Sequence, residues 1–177
     1  MIDMEYSDNI EVMITKEEIA EAVKKLGAKI SCDYRDKEIE LVGVLKGSFV
    51  FMSDLIRAID LPITLDFISA KSYVGTQSVG AVKVYMDTEL DVAGKSILLV
   101  EDILDTGRTL SVLKETMLAR GAKDVKIAAF MDKPSRRTIE IEADYCCFTI
   151  EDRFVVGYGL DYNEQYRNLD YIGEVIL

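Results

Sequence analysis

Apolar residues of the chain follow two spacings, one typical of helices and one typical of strands. Thr15 and Glu18 form the sequence pattern of a capping box, which marks the start of a helix. The apolar residues that follow recur three or four positions apart, at Ile19, Ala22, Val23 and Leu26. This spacing predicts an amphipathic helix that ends near Ile30.

Short β-branched and apolar runs predict strands. The runs are residues 39–45 (IELVGVL), 62–70 (PITLDFISA), 81–86 (AVKVYM), 97–100 (ILLV), 125–131 (VKIAAFM), 144–150 (DYCCFTI) and 154–160 (FVVGYGL). Helical spacing returns over residues 49–59, and again after Thr109 as far as Arg120, where Gly121 serves as the C-cap. Residues 72–80 are rich in Gly, Ser and Thr and predict a loop. Because strands and helices alternate, we predict an α/β fold with a parallel sheet.

Charged residues stand at the carboxyl ends of the predicted strands. Lys46 follows one strand, Glu101 and Asp102 end a second, and Lys133 follows a third. Ligands of open parallel sheets bind beyond this edge. The convergence of these residues predicts a binding site there.

A small polar turn, Thr106-Gly107-Arg108-Thr109, lies between a predicted strand and a predicted helix. It offers backbone N–H groups, two hydroxyls and a helix N-terminus, which together suit a phosphate monoester. It has neither the G-x-x-x-x-G-K-[ST] nor the G-x-G-x-x-G spacing of other nucleotide-binding loops. On these four residues alone, an ordinary capped helix start is the favoured interpretation.

The adjacent carboxylates Glu101 and Asp102 need a partner that offsets their mutual repulsion. The two hydroxyls of a ribose can donate to them, and a hydrated magnesium ion is a hard cation that prefers oxygen ligands. The alternative is a solvated acidic end of a strand.

The composition narrows the classes of function. The chain has 177 residues and a formal net charge of −11, so we expect one domain over residues 1–177 and no general nucleic-acid surface. It has no histidine, which excludes imidazole catalysis and histidine-bound zinc. Its cysteines number three, without metal-ligand or disulfide spacing, and no apolar run reaches the roughly 18 residues of a membrane span. The N-terminal sequence lacks the pattern of a signal peptide, and we expect a cytoplasmic protein.

Residues 100–110, VEDILDTGRTL, closely resemble the phosphoribosyl-diphosphate signature of the type I phosphoribosyltransferases. Four further stretches resemble the hypoxanthine–guanine branch of that family in order and spacing: LKGS at 45–48, SY at 72–73, DKPSRR at 132–137 and FVVGYGLDYNEQYRNL at 154–169. The resemblance implies a parallel α/β core with a small hood. It also implies purine salvage, in which the phosphoribosyl group of phosphoribosyl diphosphate passes to hypoxanthine, and also to guanine, with release of diphosphate.

The same resemblance implies roles for single residues that would hold phosphoribosyl diphosphate. Around its 5′-phosphate would lie Asp105, Thr106, Gly107, Arg108 and Thr109, where the backbone of Arg108 matters more than its side chain. Glu101 and Asp102 would meet the ribose hydroxyls. Diphosphate would be bound by Lys46, after a frequently cis peptide, by Gly47 and by Arg167. The magnesium contacts would be Glu101, Asp102 and Asp161.

Other residues are implied to hold and activate the purine. Asp105 corresponds to the proton acceptor at the purine's imidazole nitrogen, and Lys133 to the group that donates to the six-oxo group. Phe154 would stack on the base, and the backbone of Val155 would contact its pairing edge. Ser72 and Tyr73 correspond to a lid loop.

Two interpretations stay open beside this one. The chain could prefer xanthine, because Lys133 serves every oxopurine. It could instead be a regulator with the same fold that senses phosphoribosyl diphosphate and binds RNA, although the net charge of −11 argues against that. As the family forms dimers and tetramers, we expect a homodimer or homotetramer.

Overall fold

The computed structural model describes residues 9–72 and 82–176, with the backbone alone at residues 71 and 72. In chain order the elements of these residues are β1 (Ile10–Ile14), α1 (Lys16–Asp33), β2 (Ile39–Leu45), α2 (Phe49–Ala58), β3 (Thr64–Ser72), β4 (Val82–Met86), β5 (Ser96–Leu104), α3 (Arg108–Ala119), β6 (Asp124–Asp132), a 3₁₀ turn (Pro134–Arg136), β7 (Tyr145–Thr149), β8 (Val155–Val156) and β9 (Ile172–Val175).

A central sheet carries the fold, with strand order β4-β3-β2-β5-β6-β7. Strands β3, β2, β5, β6 and β7 are parallel, and β4 pairs antiparallel with β3 at one edge. The predicted α/β class with a parallel sheet is confirmed. Parallel pairing brings the carboxyl ends of β2, β5 and β6 to the same edge of the sheet.

Different helices cover the two faces of this sheet. Successive residues of a strand point to opposite faces, so each face has its own apolar side chains to bury. On one face the fully buried Leu41 and Leu98 pack in one hydrophobic cluster with Ile30 of α1 and Leu55 of α2. On the other face the fully buried Leu99 packs in a cluster with residues of α3. Since helices cover both faces, the carboxyl edge is left for a ligand.

Local signals at the helix ends were predicted correctly. At the start of α1, Thr15 accepts from the Glu18 N–H while the Glu18 side chain accepts from the Thr15 N–H at 2.8 Å. After α3, Gly121 has φ +90° and donates its N–H to Leu118, while Ala122 donates to Met117. This is the Schellman arrangement in which a left-handed glycine closes a helix.

A second, small sheet has the order β1-β9-β8 and is antiparallel throughout. Sequence reasoning did not predict β1 and β9, which have only five and four residues. The predicted strand 154–160 was wrong beyond Val156. Gly157, Tyr158 and Gly159 have φ of +97°, +47° and +101°, so the chain leaves the extended conformation and turns. None of the helices found in residues 9–72 and 82–176 is long and apolar enough to cross a membrane.

Candidate active site

A cleft of about 520 Å³ opens at the carboxyl edge of the central sheet. Its polar lining comes from three segments that are distant in sequence. These residues are Lys46, Gly47, Glu101, Asp102, Asp105, Thr106, Gly107, Thr109, Asp161, Glu164 and Arg167. The predicted convergence of charged strand ends is therefore present around β2 and β5.

The strand–helix turn, Asp105–Thr109, joins β5 to α3. Gly107 has φ +84°, and a Cβ built on it would lie 2.4 Å from Cγ2 of Ile141, so only glycine fits. Gly107 is the N-cap of α3, and no side chain of the described residues caps it. The Arg108 N–H makes a long contact of 3.5 Å with Oγ1 of Thr106, and the amide groups that follow it in α3 remain available to an anion in the cleft.

Arg108 belongs to this turn by sequence but its side chain does not line the cleft. Its Nε donates to Oγ1 of Thr138 at 3.2 Å, and Thr138 in turn donates its N–H to the Thr106 carbonyl at 3.1 Å. The guanidinium thus ties the turn to the segment after β6, while the Arg108 backbone begins α3.

Glu101 and Asp102 lie inside a strand and not at its end, because β5 continues to Leu104. The partner β2 pairs with β5 only as far as Val100, so both carboxylates lie beyond that ladder and face the cleft. Burial raises the pKa of Glu101 well above its ordinary value, and repulsion from Asp102 raises it further. Burial also raises the pKa of Asp102. Two half-buried carboxyl groups whose charges are both disfavoured by burial are suited to bind a cation or to accept hydrogen bonds from hydroxyl groups.

Gly47 lies directly against this carboxylate pair. A Cβ on Gly47 would stand 1.5 Å from Oδ2 of Asp102, so any side chain at this position would displace the carboxylate. The preceding peptide, Leu45–Lys46, is cis, as the family resemblance implied. Ser48, buried, donates its hydroxyl to the Val44 carbonyl at 2.6 Å and so closes the loop between β2 and α2.

The ion-pair turn, Asp161–Arg167, supplies the opposite wall. Arg167 pairs with Asp161 at 2.7 Å and with Oε2 of Glu164 at 3.2 Å, and donates to the Gly159 carbonyl at 2.8 Å. Lys46 pairs with the same Oε2 of Glu164 at 3.0 Å. Hydrogen bonds from Lys46 and Arg167 lower the pKa of Glu164. The two predicted diphosphate-binding cations thus converge on one carboxylate.

The residues predicted to bind a purine lie beside the cleft and do not line it. Lys133 is largely buried and donates to the Arg153 carbonyl at 2.5 Å, with Asp152 at 3.9 Å. Phe154 is 45% exposed, and its ring meets that of Tyr162 edge-on at 5.3 Å between centroids. Val155 is buried in β8. A ring with so much exposed area offers a surface on which a planar base can stack.

Asp105 connects the cleft to this purine side. Its carboxylate forms an ion pair with Nε of Arg136 at 3.2 Å, and Arg136 also pairs with Asp152 at 3.5 Å. Sequence reasoning assigned no role in this site to Arg136 or Asp152. The available signal was the adjacent arginines of the DKPSRR stretch, which carried the family resemblance without a role for either residue.

Arg137, the second of these arginines, holds the backbone of the site. It donates to the carbonyls of Leu104 at 2.9 Å and Ile141 at 3.0 Å, and it pairs with Asp132. The Arg137 guanidinium also donates to the Asp105 carbonyl. The start of the strand–helix turn is therefore fixed by a largely buried guanidinium.

The predicted lid residues fall at the limit of the described chain. Ser72 is the last residue of β3, and its side chain and Tyr73 lie outside the described residues.

A magnesium ion fits the chemistry of the cleft. Within residues 9–72 and 82–176, neither Glu101 nor Asp102 has a cationic group within ion-pair distance, although burial makes both charges unfavourable. No group of three or more carboxylates or cysteines among these residues could hold a metal alone. Magnesium usually takes one or two carboxylates and completes its octahedron with water and substrate oxygens. The lining therefore suits an ion that arrives with a phosphate ligand.

The family model described as "Phosphoribosyl transferase domain" matches residues 13–163. The chain belongs to the phosphoribosyltransferase family. A hypoxanthine-guanine phosphoribosyltransferase of Streptococcus pneumoniae is 51% identical over 168 residues, covering 94% of this chain and 93% of the relative. One of Streptococcus agalactiae is 45% identical over the same shares.

Solved structures agree with these relatives. The crystal structure of a hypoxanthine phosphoribosyltransferase from Staphylococcus aureus superposes with a TM-score of 0.92 at 42% identity, covering 99% of this chain and 97% of that one. A hypoxanthine phosphoribosyltransferase from Trypanosoma cruzi reaches a TM-score of 0.90 at 35% identity over 96% and 97% of the two chains. The predicted type I phosphoribosyltransferase fold is confirmed, and the chain is an enzyme of the transferase class.

Proposed function

We propose that this phosphoribosyltransferase joins hypoxanthine, and also guanine, to the phosphoribosyl group of phosphoribosyl diphosphate. The products are the nucleoside monophosphate and diphosphate. The observation that carries the proposal is one cleft in which a half-buried carboxylate pair lies between two different anion sites. One is the strand–helix turn, and the other is built from Lys46 and Arg167. Phosphoribosyl diphosphate has the matching order of groups: phosphate, ribose hydroxyls, diphosphate.

In this proposal the strand–helix turn binds the 5′-phosphate through backbone N–H groups and the hydroxyls of Thr106 and Thr109. Glu101 and Asp102 accept from the two ribose hydroxyls. These contacts fix the ribose so that its anomeric carbon faces the purine, which removes much of the entropic barrier to reaction.

Diphosphate leaves through a state with oxocarbenium character, so negative charge grows on the departing group. Lys46 and Arg167 are placed to bind that charge, with the backbone of Gly47 beside them. Magnesium, when bound by Glu101, Asp102 or Asp161, would neutralise further charge on diphosphate.

The purine is held on the other side of Asp105. Lys133 can only donate a hydrogen bond, so it favours a six-oxo group over the amino group of adenine. Phe154 stacks on the base, and the backbone of Val155 meets its pairing edge. Asp105 accepts the proton that the imidazole nitrogen loses as it bonds to the anomeric carbon, and Arg136 orients the carboxylate for that task.

We place this enzyme in the cytoplasm as a homodimer or homotetramer, with residues 1–177 as one domain and Ser72 and Tyr73 in its lid.

A spectrophotometric assay with phosphoribosyl diphosphate and magnesium tests the proposal, with hypoxanthine, guanine, xanthine and adenine offered separately. We expect turnover of hypoxanthine and guanine that stops when a chelator removes magnesium. A strong preference for xanthine would refute the proposed base selectivity. Absence of turnover with all four bases would refute the proposed reaction.

A further inference from the structure

Glu164 holds a position in the cleft that the reaction does not require. Its Oε2 lies 3.0 Å from Nζ of Lys46 and 3.2 Å from Nη2 of Arg167. A single carboxylate oxygen thus bridges the two cations that the proposed function assigns to diphosphate. Carboxylate and phosphate oxygens accept from the same ammonium and guanidinium donors. Diphosphate and Glu164 would therefore compete for these donors.

The ion pairs of Glu164 are exposed and can readily be replaced by contacts with water. Its side chain is 60% exposed, and so is most of the Lys46 side chain, so water can replace each partner. Ion pairs of this exposure contribute little free energy. Asp161 remains paired with Arg167 at 2.7 Å and would keep that guanidinium in the cleft after Glu164 moved away.

We propose that Glu164 is an internal competitor of diphosphate. Its carboxylate occupies the place of a diphosphate oxygen between Lys46 and Arg167 in the ligand-free enzyme, and it turns to solvent when diphosphate binds. The inference rests on the proposed function, because that function makes these two cations the diphosphate site.

This competition weakens the binding of diphosphate and of phosphoribosyl diphosphate by the same factor, but only diphosphate has no other contacts to offset it. Breaking the two ion pairs subtracts the same free energy from the binding of either ligand. Phosphoribosyl diphosphate also gains contacts at the carboxylate pair and at the strand–helix turn, whereas free diphosphate has only the site that Glu164 contests. Glu164 therefore keeps product affinity low and favours release of diphosphate, a step that limits the turnover of many enzymes.

Calorimetric titration of inorganic diphosphate, with magnesium present, measures the competition directly. The variant is Glu164→Gln, which keeps the shape of the side chain and removes its charge. Glu21→Gln is the matched control, because Glu21 forms an exposed ion pair with Lys25 on α1, away from the cleft, and the variant has the same net charge. Glu164→Asn provides a second test, since Asn tolerates the left-handed backbone of this position, φ +62°.

Both Glu164 variants should bind diphosphate about 2- to 5-fold more tightly than the wild type, the range expected for exposed ion pairs. Glu21→Gln should leave the affinity unchanged. Equal or weaker binding by the Glu164 variants, with normal binding of phosphoribosyl diphosphate, would overturn this inference and leave the proposed function intact. If the wild type bound neither ligand, the proposed function and the inference would both fail.

Discussion

The two anion-binding walls of the cleft are built in opposite ways. The strand–helix turn presents backbone amides whose position is fixed by β5, by α3 and by the contact of Gly107 with Ile141. The ion-pair turn presents side chains that already satisfy one another, on a backbone where Asn163, Glu164 and Tyr166 all have positive φ. A ligand at the first wall finds donors that need no rearrangement, whereas a ligand at the second must replace existing partners.

Rigid backbone donors and exchangeable ion pairs suit different parts of the reaction. Phosphate stays attached to ribose through the whole reaction, so a rigid backbone site serves substrate and product alike. Diphosphate must bind and then leave, so a site made of exchangeable ion pairs suits it. Substitutions can test this contrast by removing a backbone constraint or a side chain in turn.

The largest effect is expected at Asp105, the first residue of the strand–helix turn, whose carboxylate pairs with Arg136 on the purine side. Asp105→Asn should lower kcat by about 10²–10⁴-fold, because an amide cannot accept the purine proton as a carboxylate does. The KM for phosphoribosyl diphosphate should change little, since the backbone of the turn remains. Steady-state kinetics with hypoxanthine measure both. A kcat within tenfold of the wild type would exclude Asp105 as the proton acceptor.

A smaller effect is expected from the rigid wall itself. Gly107→Ala should destabilise the fold by about 2–4 kcal/mol, because the new Cβ meets both a left-handed backbone and Ile141. Gly94→Ala is the control: Gly94 has φ +75° and no atom of the described residues lies within 4 Å of a built Cβ, so it isolates the backbone strain. Urea denaturation gives the free energies of unfolding. Equal losses in the two variants would show that the contact with Ile141 does not constrain the turn.

Lys133 tests the purine side of the site, where the proposed contacts also come from side chains. Lys133→Gln should reduce kcat/KM for hypoxanthine by about 10- to 100-fold, the value of a hydrogen bond from a charged donor. Discrimination against adenine should also weaken, because a glutamine amide can accept as well as donate. Lys126→Gln, a change on the same strand β6, is the control. Unchanged selectivity among the bases would show that Lys133 does not contact the purine.

The smallest effect is expected at Arg108. Arg108→Ala removes a guanidinium that contacts Thr138 and does not line the cleft, so the KM for phosphoribosyl diphosphate should rise by less than about 3-fold. The same kinetic assay measures it. A tenfold rise would mean that the strand–helix turn depends on a side chain after all, and the contrast between the two walls would fail.

Local sequence patterns predicted the central sheet well. The run IELVGVL became β2 with the predicted bounds, and the capping box at Thr15 began α1 as expected. These features depend on residues close in sequence, where periodicity and capping chemistry decide the outcome. The segment after Val156 was predicted poorly, because its turns rest on tertiary contacts such as the close approach of Gly159 to the Gly47 carbonyl. No local pattern encodes such a contact.

The same limit applies to the candidate site. Residues at strand ends, such as Lys46 and Lys133, could be found because parallel topology brings strand ends together. The bridge from Arg136 to Asp105 spans 31 positions and that from Lys46 to Glu164 spans 118, so neither partner could be chosen from sequence spacing. Residues that position a functional group through such distant contacts are found only when the fold is known.

In the proposed function, the parallel order of β2, β5 and β6 also sets the distances between the groups of the ligand. Lys46-Gly47, the strand–helix turn and Lys133 follow three adjacent strands, and neighbouring strands lie about 4.8 Å apart. Backbone hydrogen bonding within the sheet would therefore set the distances between the sites for diphosphate, ribose phosphate and base. Redesign for another nucleobase would then require changes only in the segments that follow β6 and β7, because the separations of the other groups are set by strand pairing that those segments do not touch.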